Sequence, residues 1–476
     1  MPTEHRWRAL AVTLVVGFMT LLDVTIVNVA LPSIQRGLHA SPQGIQWIVS
    51  GYALTFGLTL VAGGRLGDVL GRRRMFLVGL AAFTLTSAAA GAAPNEATIV
   101  VARLLQGVAA GMLTPQNTGL IQEMFEGSER GRAFGIFGTT VGVSAAAGPI
   151  LGGLLIAAFG AESGWRAVFW VNVPVGAVAM LLAARVLPAG RRESGSLRSR
   201  IDFVGAALLG AAVLCFLLPL VQSMGDPATW WWLLALLAPL LGALFVRWER
   251  RQLRRDRAPL LDVRLFSEVP GYLSGIGIGT VYFCGFSGIW LVLALFFQDG
   301  LGYSALQSGL AVTPFAVGSS VSAVIAGRLV SRFDRWLTVA GLGLVVLGFS
   351  ALTVVVALTD GASAAWWMAL PLLVAGVGGG AVISPNITLT LDRVPPRMGG
   401  AAGGALQTGQ RIGSAVGAAL LAAVFRISLS ATDGRPHVSL AGTFGCSVLV
   451  MLVTLALALG ELRRRRTGRG RWAEVH

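Results

Sequence analysis

The sequence predicts an all-α integral membrane protein with fourteen membrane-spanning helices. Hydrophobic residues make up 55% of the 476 residues and charged residues only 12%, a composition typical of chains that lie in lipid. Apolar runs of about 20 residues, each long enough to cross roughly 30 Å of hydrocarbon, recur along the chain. Arginines gather in alternate loops between these runs, which indicates a fixed membrane topology.

The apolar runs place the spans in order along the chain. They cover residues 8–30, 46–66, 75–94, 97–122, 132–158, 167–187, 202–221, 230–247, 270–297, 305–327, 337–358, 365–390, 399–425 and 439–460. The first run is too long for the apolar region of a cleavable signal peptide and is followed at once by further spans, so we interpret it as span 1.

The loop charges predict that both termini are cytoplasmic. Arginines concentrate in the loops after spans 2, 4, 6, 8, 10 and 12 and in the tail, whereas the other loops hold at most one or two. The net charge of +15 therefore reflects topology, and we expect no nucleic-acid partner. The tryptophan runs 230–232 and 366–367 begin spans on the predicted outer side, where an aromatic belt belongs.

Two short strings are repeated at a displacement of eight spans. The string Gly64–Arg73 has a degenerate copy in Gly327–Arg335, and Thr114–Asn117 is echoed by Ser384–Asn386. Chance similarity between glycine-rich helices is the alternative, but the shared displacement favours two parallel six-helix lobes. The expected organisation is a lobe at 1–187, connectors with two inserted helices at 188–268, a second lobe at 269–460 and a basic cytoplasmic tail at 461–476.

Asp23 is an acid deep inside span 1. Insertion of a charged residue at the bilayer centre costs roughly 2.5–3.5 kcal/mol, so such a residue marks a functional site by default. The four histidines fall outside the spans, which leaves Asp23 as the evident proton site within the membrane. Arg103 in span 4 carries a similar cost, and pairing with Asp23 would offset both. A purely structural ion pair is the alternative reading.

Several motifs share the order and spacing of one transporter family. They are the loop string Gly64-x-Leu-x-Asp68-x-x-Gly71-Arg72-Arg73, the span-4 string Arg103–Gly107, the span-5 pattern Gly135-x8-Ser144-x3-Gly148-Pro149-x2-Gly152-Gly153, and the strings Asp23–Pro32 and Trp165–Gly176. Across all fourteen spans the chain resembles the major facilitator superfamily, and within it the fourteen-span drug:proton antiporter family. The resemblance implies the major facilitator fold, with helices arranged as 6+2+6.

The resemblance also implies roles for the motif residues. The loop string (Gly64, Asp68, Gly71, Arg72 and Arg73) corresponds to a cytoplasmic gate latch, for which Glu123 is a candidate third partner. Val69 stands where the family often has arginine, which points to a weaker latch. The span-5 pattern resembles the antiporter motif of exporters, with Ser144 replacing a glycine. Arg103 matches the arginine implicated in proton transfer near the span-1 acid.

Polar side chains within other spans are candidates for a substrate cavity. Arg411 in span 13 has no evident acidic partner within the spans, so it either binds carbonyl groups of neighbouring helices or serves as a cavity cation. Amides are the other candidates, although each is individually more typical of contacts between helices. The candidates are Asn28, Gln106, Asn117, Asn386, Gln407, Gln410 and Arg411.

These features predict a proton-coupled efflux transporter that works by alternating access, with Asp23 as the coupling acid. One deep acid against two deep arginines favours neutral, zwitterionic or anionic amphiphilic substrates over dications. We expect a monomer in the cell membrane, no cofactor, no metal and no enzymatic activity. A proton-coupled importer of a small metabolite with the same fold is the alternative.

Overall fold

A computed structural model of the chain describes residues 3–160, 162–188, 202–222, 231–359, 364–432 and 435–473. Within these ranges the chain forms helices and turns and contains no β-strand. The predicted arginine cluster at 191–200 and Trp230 lie outside the described residues, as do the last three residues of the predicted basic tail.

Seventeen α-helices make up the described part of the chain. They are α1 Thr3–Leu38, α2 Pro42–Leu70, α3 Arg72–Gly91, α4 Glu96–Met124, α5 Gly127–Phe159, α6 Gly164–Trp170, α7 Asn172–Val186, α8 Phe203–Gln222, α9 Trp232–Arg254, α10 Leu265–Glu268, α11 Tyr272–Leu295, α12 Ala305–Ala311, α13 Thr313–Phe333, α14 Arg335–Leu358, α15 Ala364–Leu391, α16 Gly399–Ala431 and α17 Pro436–Ala473. A π-helix, Phe296–Gly300, follows α11, and a 3₁₀-helix, Pro396–Met398, precedes α16.

The predicted all-α membrane fold is confirmed. In the described residues, thirteen spans are long and apolar enough to cross a membrane, and α5 adds a fourteenth when its two segments are counted as one. Several helices continue beyond the predicted ends of their spans. In particular, α9 ends at Arg254 rather than at residue 247, which places Glu249 inside a helix.

The chain divides into two compact units. The first comprises Met1–Phe125, Ala147–Leu265 and Val394–Thr408. Within it, α2 and α3 both pack on α4, and α8 packs on α9 and on α2. Small residues allow the close approach of α2 and α4, since a Cβ atom on Gly63 would meet the carbonyl oxygen of Gly111 at 2.6 Å.

The second unit comprises Glu126–Ala146, Phe266–Arg393 and Gly409–His476. Here α13 and α14 both pack on α15, while α17 packs on α11 and α14. The packing of α13 and α14 on α15 repeats that of α2 and α3 on α4.

A buried apolar cluster in the first unit surrounds the part of α1 that carries Asp23. Ile26 and Ile34 of α1, Ile99 of α4 and Trp165 and Phe169 of α6 belong to it, and all are nearly inaccessible to solvent. The indole of Trp165 meets the ring of Phe169 edge to face at 6.3 Å between centroids. This packing fixes α1, α4 and α6 around the acid.

Candidate functional site

Asp23 and Arg103 form a buried ion pair between α1 and α4. The guanidinium Nη1 of Arg103 donates a hydrogen bond of 2.6 Å to Asp23 Oδ2, and both side chains are almost completely buried. Arg103 Nε donates to the carbonyl oxygen of Ile48 on α2 at 3.1 Å. The structure therefore contains the predicted contact between these two residues, and it extends that contact to a third helix.

Two amide side chains complete the shell around the Asp23 carboxylate. Gln106 Nε2 donates to Asp23 Oδ1 at 3.0 Å, and Asn172 Nδ2 donates to the same oxygen at 3.1 Å. Gln106 Oε1 in turn accepts from Arg103 Nη1 at 2.8 Å. A buried ion pair is stable only if hydrogen bonds offset the cost of removing its charges from water. Asp23 meets this condition because it accepts hydrogen bonds from three donors.

A second layer of groups orients this shell. Asn172 also donates to Ser87 Oγ at 3.0 Å, and Ser87 donates to the carbonyl oxygen of Phe169 at 2.9 Å. The Arg103 guanidinium lies over the ring of Tyr52, 4.1 Å from its centroid, a cation–π contact that is strongest when water is excluded. We call Asp23, Arg103, Gln106, Asn172 and Ser87 the Asp23 network.

Sequence reasoning found part of this network. Asp23 and Arg103 stand out because charge in an apolar span is rare. Asn172 was visible only as part of the string that opens span 6. Ser87 and Tyr52 gave no signal, because a serine and a tyrosine within apolar runs are indistinguishable from packing residues.

The Asp68 carboxylate lies at the amino terminus of α16. It accepts hydrogen bonds from the backbone N–H groups of Gly400 at 3.0 Å and Ala401 at 2.9 Å, and from Arg72 at 2.9 Å. The first N–H groups of a helix lack partners within the helix, and the helix dipole favours an anion there. Asp68 is thus held by one cation and by the start of a helix more than 300 residues away in the sequence.

Arg72 joins Asp68 to Glu123. Its Nη1 lies 3.3 Å from Glu123 Oε2, so the predicted third partner of the loop string is in contact with it. Arg72 also donates to the carbonyl oxygens of Gly119 and Pro396. We call Gly64, Asp68, Gly71, Arg72 and Glu123 the gate cluster.

The other residues of the loop string each have different surroundings. Arg73 donates to the carbonyl oxygen of Ala184 rather than to an acid, and Val69 is buried. Gly71 adopts a φ of +95° between α2 and α3, a conformation that favours glycine. Gly64 packs so closely on the backbone of Gly400 that a Cβ atom would overlap its carbonyl oxygen.

The span-5 residues have different packing roles along α5. A Cβ atom on Gly135 would meet the carbonyl oxygen of Ala323 at 2.8 Å, and Ser144 bonds to the carbonyl oxygen of Val141 within its own helix. Gly148 packs directly against Thr25 of α1, and Gly152 packs against Ile26. Pro149 lies inside the helix, and Gly153 has open space around it.

The cavity candidates differ in their burial and in their contacts. Gln106 belongs to the Asp23 network, and Asn28 is exposed on α1. Asn117 is buried, and its Oδ1 has no hydrogen-bond donor among the described residues. Gln407 Nε2 donates to Thr118 Oγ1 at 2.9 Å. Gln410 and Arg411 are half-buried.

Asn386 holds a buried arginine in the second unit. Its Oδ1 accepts from Arg335 Nη1 at 2.6 Å, and its Nδ2 donates to the carbonyl oxygen of Gly275 at 2.9 Å. Arg335 begins α14 as Arg72 begins α3, so the two arginines occupy corresponding positions in the two echoed strings. The contacts of Asn386 are those of a residue that joins helices.

Comparison with known proteins identifies the family. Residues 13–418 match the model of the Major Facilitator Superfamily. The chain belongs to the major facilitator superfamily. It is therefore a multi-pass membrane transporter and not an enzyme.

Relatives in the superfamily align along most of the chain. The chain is 38% identical to a probable actinorhodin transporter of Streptomyces coelicolor, over 97% of this chain and 81% of the relative. It is 33% identical to a tetracenomycin C resistance and export protein of Streptomyces glaucescens, over 87% of this chain and 75% of the relative. The human organic anion transporter MFSD10 superposes with a TM-score of 0.67 over 95% of this chain and 100% of that chain, at 16% identity. The last comparison shows the shared fold.

Proposed function

We propose that the protein is a proton-driven efflux transporter in which Asp23 is the coupling acid. The observation that carries this proposal is the Asp23 network: a buried carboxylate held by one arginine and two amides. An ionisable side chain inside a membrane span is costly and is retained for ion or proton transfer more often than for stability. The names of the two relatives above, a transporter and an export protein, support the direction of transport.

The hydrogen bonds suggest how a proton changes the network. Ionised Asp23 accepts from Arg103 of α4, from Gln106 of α4 and from Asn172 of α7. A proton on Asp23 removes the negative charge that attracts the Arg103 guanidinium. Arg103 keeps its bonds to Ile48 and Gln106, so α4 stays joined to α2 while its contact with α1 weakens. Protonation therefore acts on the position of α1 relative to α4.

The gate cluster supplies the second part of the proposed cycle. Asp68 binds the start of α16 through two backbone N–H groups, and Arg72 ties Asp68 to Glu123. Breaking these bonds would release α16 from α2, as a latch for one of two alternating conformations requires. We place this latch on the cytoplasmic side, in agreement with the arginine distribution in the loops.

The charges in the predicted spans favour a particular substrate class. One acid, Asp23, and two arginines, Arg103 and Arg411, lie deep in these spans. Dications would require further carboxylates, so we propose neutral, zwitterionic or anionic amphiphiles as substrates. A competition panel of fluorescent substrates with charges from −1 to +2 tests this proposal. The best competitors should be the neutral and anionic compounds, and preference for dications would contradict it.

Transport in inverted membrane vesicles tests direction and driving force together. An exporter loads inverted vesicles when a proton gradient, acidic inside, is imposed, whereas an importer loads right-side-out vesicles or cells. The Asp23→Asn variant should lose gradient-driven loading. Glu126→Gln, which neutralises an exposed acid, is the matched control and should transport like the wild type. Full activity of Asp23→Asn would refute the assignment of Asp23.

We further propose that the transporter acts as a monomer without a cofactor, with the proton gradient as its energy source. Mass determination of the solubilised protein by light scattering, with detergent subtracted, tests the first point. Loading that persists when ATP is depleted and stops when an uncoupler is added tests the second.

A further inference from the structure

The inserted helices α8 and α9 enclose a second buried acidic group. Glu249 of α9 is completely inaccessible to solvent, and Asp202, which precedes α8, is nearly so. Neither oxygen of Glu249 makes a hydrogen bond of good geometry with a described residue, although the backbone N–H groups of Leu260 and Leu261 face it. A buried, ionised carboxylate without a hydrogen-bond partner is unfavourable, whereas the protonated acid carries no charge.

Asp202 has the opposite surroundings. Its Oδ2 accepts from Trp248 Nε1 at 2.8 Å, and its Oδ1 accepts from the backbone N–H of Gly205 at 2.8 Å, at the start of α8. Both contacts are of the kind that holds a carboxylate at the start of a helix. The two acids therefore differ in their surroundings: Asp202 has two hydrogen-bond donors, and Glu249 has none of good geometry.

The two carboxyl groups converge on Gly205. A Cβ atom on this glycine would lie 2.5 Å from Glu249 Oε1 and 2.7 Å from Asp202 Oδ2. The two oxygens are thus separated by no more than the sum of these distances. Two carboxylates this close together in a buried site repel each other when both are ionised, which favours a proton on one of them.

Arg65 of α2 is a candidate link between this acid pair and the gate cluster. Its positive charge favours the ionised form of Glu249, and its buried Nε has no acceptor among the described residues. Arg65 follows Gly64 in the chain and lies three residues before Asp68. An ionised Glu249 would attract the Arg65 guanidinium, whereas a protonated Glu249 carries no charge to attract it.

We propose that Glu249 and Asp202 form a second proton-binding site, separate from Asp23, that couples the inserted helices to the gate cluster through Arg65. The proton resides on Glu249. Loss of this proton gives Glu249 a charge that binds Arg65, and it thereby changes the position of the α2 end that carries Asp68. This site goes beyond the proposed role of Asp23.

Infrared difference spectroscopy of the purified full-length protein tests the site without a transport assay. The carbonyl stretching band of protonated carboxylic acids is followed as the pH is raised. The wild type should lose a band that is absent from Glu249→Gln at every pH. Glu268→Gln, which changes an exposed acid after the same connector, is the matched control and should keep it. All three proteins contain Asp23, so a band from protonated Asp23 would be the same in the three spectra. A negative result for Glu249 therefore leaves the Asp23 proposal intact.

Two further variants should move the band in opposite directions. Asp202→Asn removes the neighbouring negative charge, so Glu249 should lose its proton at lower pH. Arg65→Gln removes the attracting cation, so the proton should be lost at higher pH. Far-ultraviolet circular dichroism checks that each variant is folded. If Asp202→Asn does not fold, the shift of the band in Arg65→Gln is sufficient to test the proposal. A Glu249→Gln spectrum identical to the wild type, or no upward shift in Arg65→Gln, would overturn the proposal.

Discussion

At the scale of single residues, the buried acids of the Asp23 network and the gate cluster each have a partner of opposite charge. Asp23 is matched by Arg103 and two amides, and Asp68 is matched by Arg72 and two backbone N–H groups. Arg335, which is also buried, is held by Asn386. Glu249 departs from this pattern because its oxygens lack donors of good geometry. Pairing lowers the cost of a buried charge, while its absence marks a group that takes up a proton.

Removing one member of the Asp23–Arg103 pair should destabilise the protein. Arg103→Gln leaves the Asp23 carboxylate with amide donors only, and breaking a buried ion pair in this way costs about 3–5 kcal/mol. Adding Asp23→Asn to Arg103→Gln removes both charges and should restore much of the loss. Thermal unfolding in detergent measures both effects.

The pair between Arg8 and Glu4 provides the matched control for this prediction. These side chains are 70% and 86% exposed and lie 3.7 Å apart. Exposed ion pairs contribute little to stability, so Arg8→Gln should leave the unfolding temperature nearly unchanged. An Arg103→Gln variant that unfolds at the wild-type temperature would contradict the account of the network.

The functional candidates that could be identified from the sequence are the charged residues that lie in apolar runs. Asp23 and Arg103 were identified because each stands alone in an apolar run. Glu249 was missed because it lies in the run Arg247–Arg251, which looks like a solvated loop, whereas α9 continues through it and buries its side chain. Tyr52 was missed because a cation–π contact with Arg103 depends on a tertiary position that no local pattern encodes.

At the scale of helices, glycines decide where backbones meet. Gly64 of α2 touches Gly400 of α16, and Gly135 of α5 touches Gly327 of α13. These contacts bring together segments that are distant in the sequence, so spacing alone could not show them. Gly64 and Gly135 belong to the motif strings, but the partners of these glycines became visible only in the fold.

An added methyl group at Gly64 should impair the gate cluster. In Gly64→Ala the new Cβ would overlap the Gly400 carbonyl oxygen, which is backbone and cannot move aside cheaply. The bonds from Asp68 to Gly400 and Ala401 should lengthen, and transport should fall by tenfold or more, the equivalent of about 1.4 kcal/mol. Substrate loading of inverted vesicles measures the effect.

Gly343→Ala in α14 is the matched control, because nothing lies within 4 Å of the position that its Cβ would occupy. In a helix this change should be neutral or slightly stabilising. Equal loss of transport in the two alanine variants would show that Gly64 has no special role.

At the scale of the whole molecule, length and hydropathy were sufficient to predict the fold class. The predicted spans agree with the helices because an apolar run in lipid satisfies its backbone hydrogen bonds as a helix. The helix breaks after Trp170 and after Ala311 were not predicted, because no charged residue interrupts the apolar run at either break. The placement of helices within each unit depends on tertiary contacts and could not be derived.

The orientation predicted from the loop arginines remains to be measured. A green fluorescent protein fused to the carboxyl terminus should be fluorescent, because that terminus is predicted to be cytoplasmic. Alkaline phosphatase fused after Leu358, in a predicted outer loop, should be active, whereas the same enzyme fused after Arg264 should be inactive. The reverse activities at these two positions would contradict the topology.

In the proposed cycle, substrate export and proton entry are coupled through Asp23. The most direct measurement is proton movement driven by a substrate gradient in proteoliposomes that carry an internal pH-sensitive dye and no imposed pH gradient. Wild-type protein should move protons opposite to the substrate, and Asp23→Asn should abolish this movement while Glu126→Gln retains it. Substrate-driven proton movement that persists at the wild-type rate in Asp23→Asn would contradict the account.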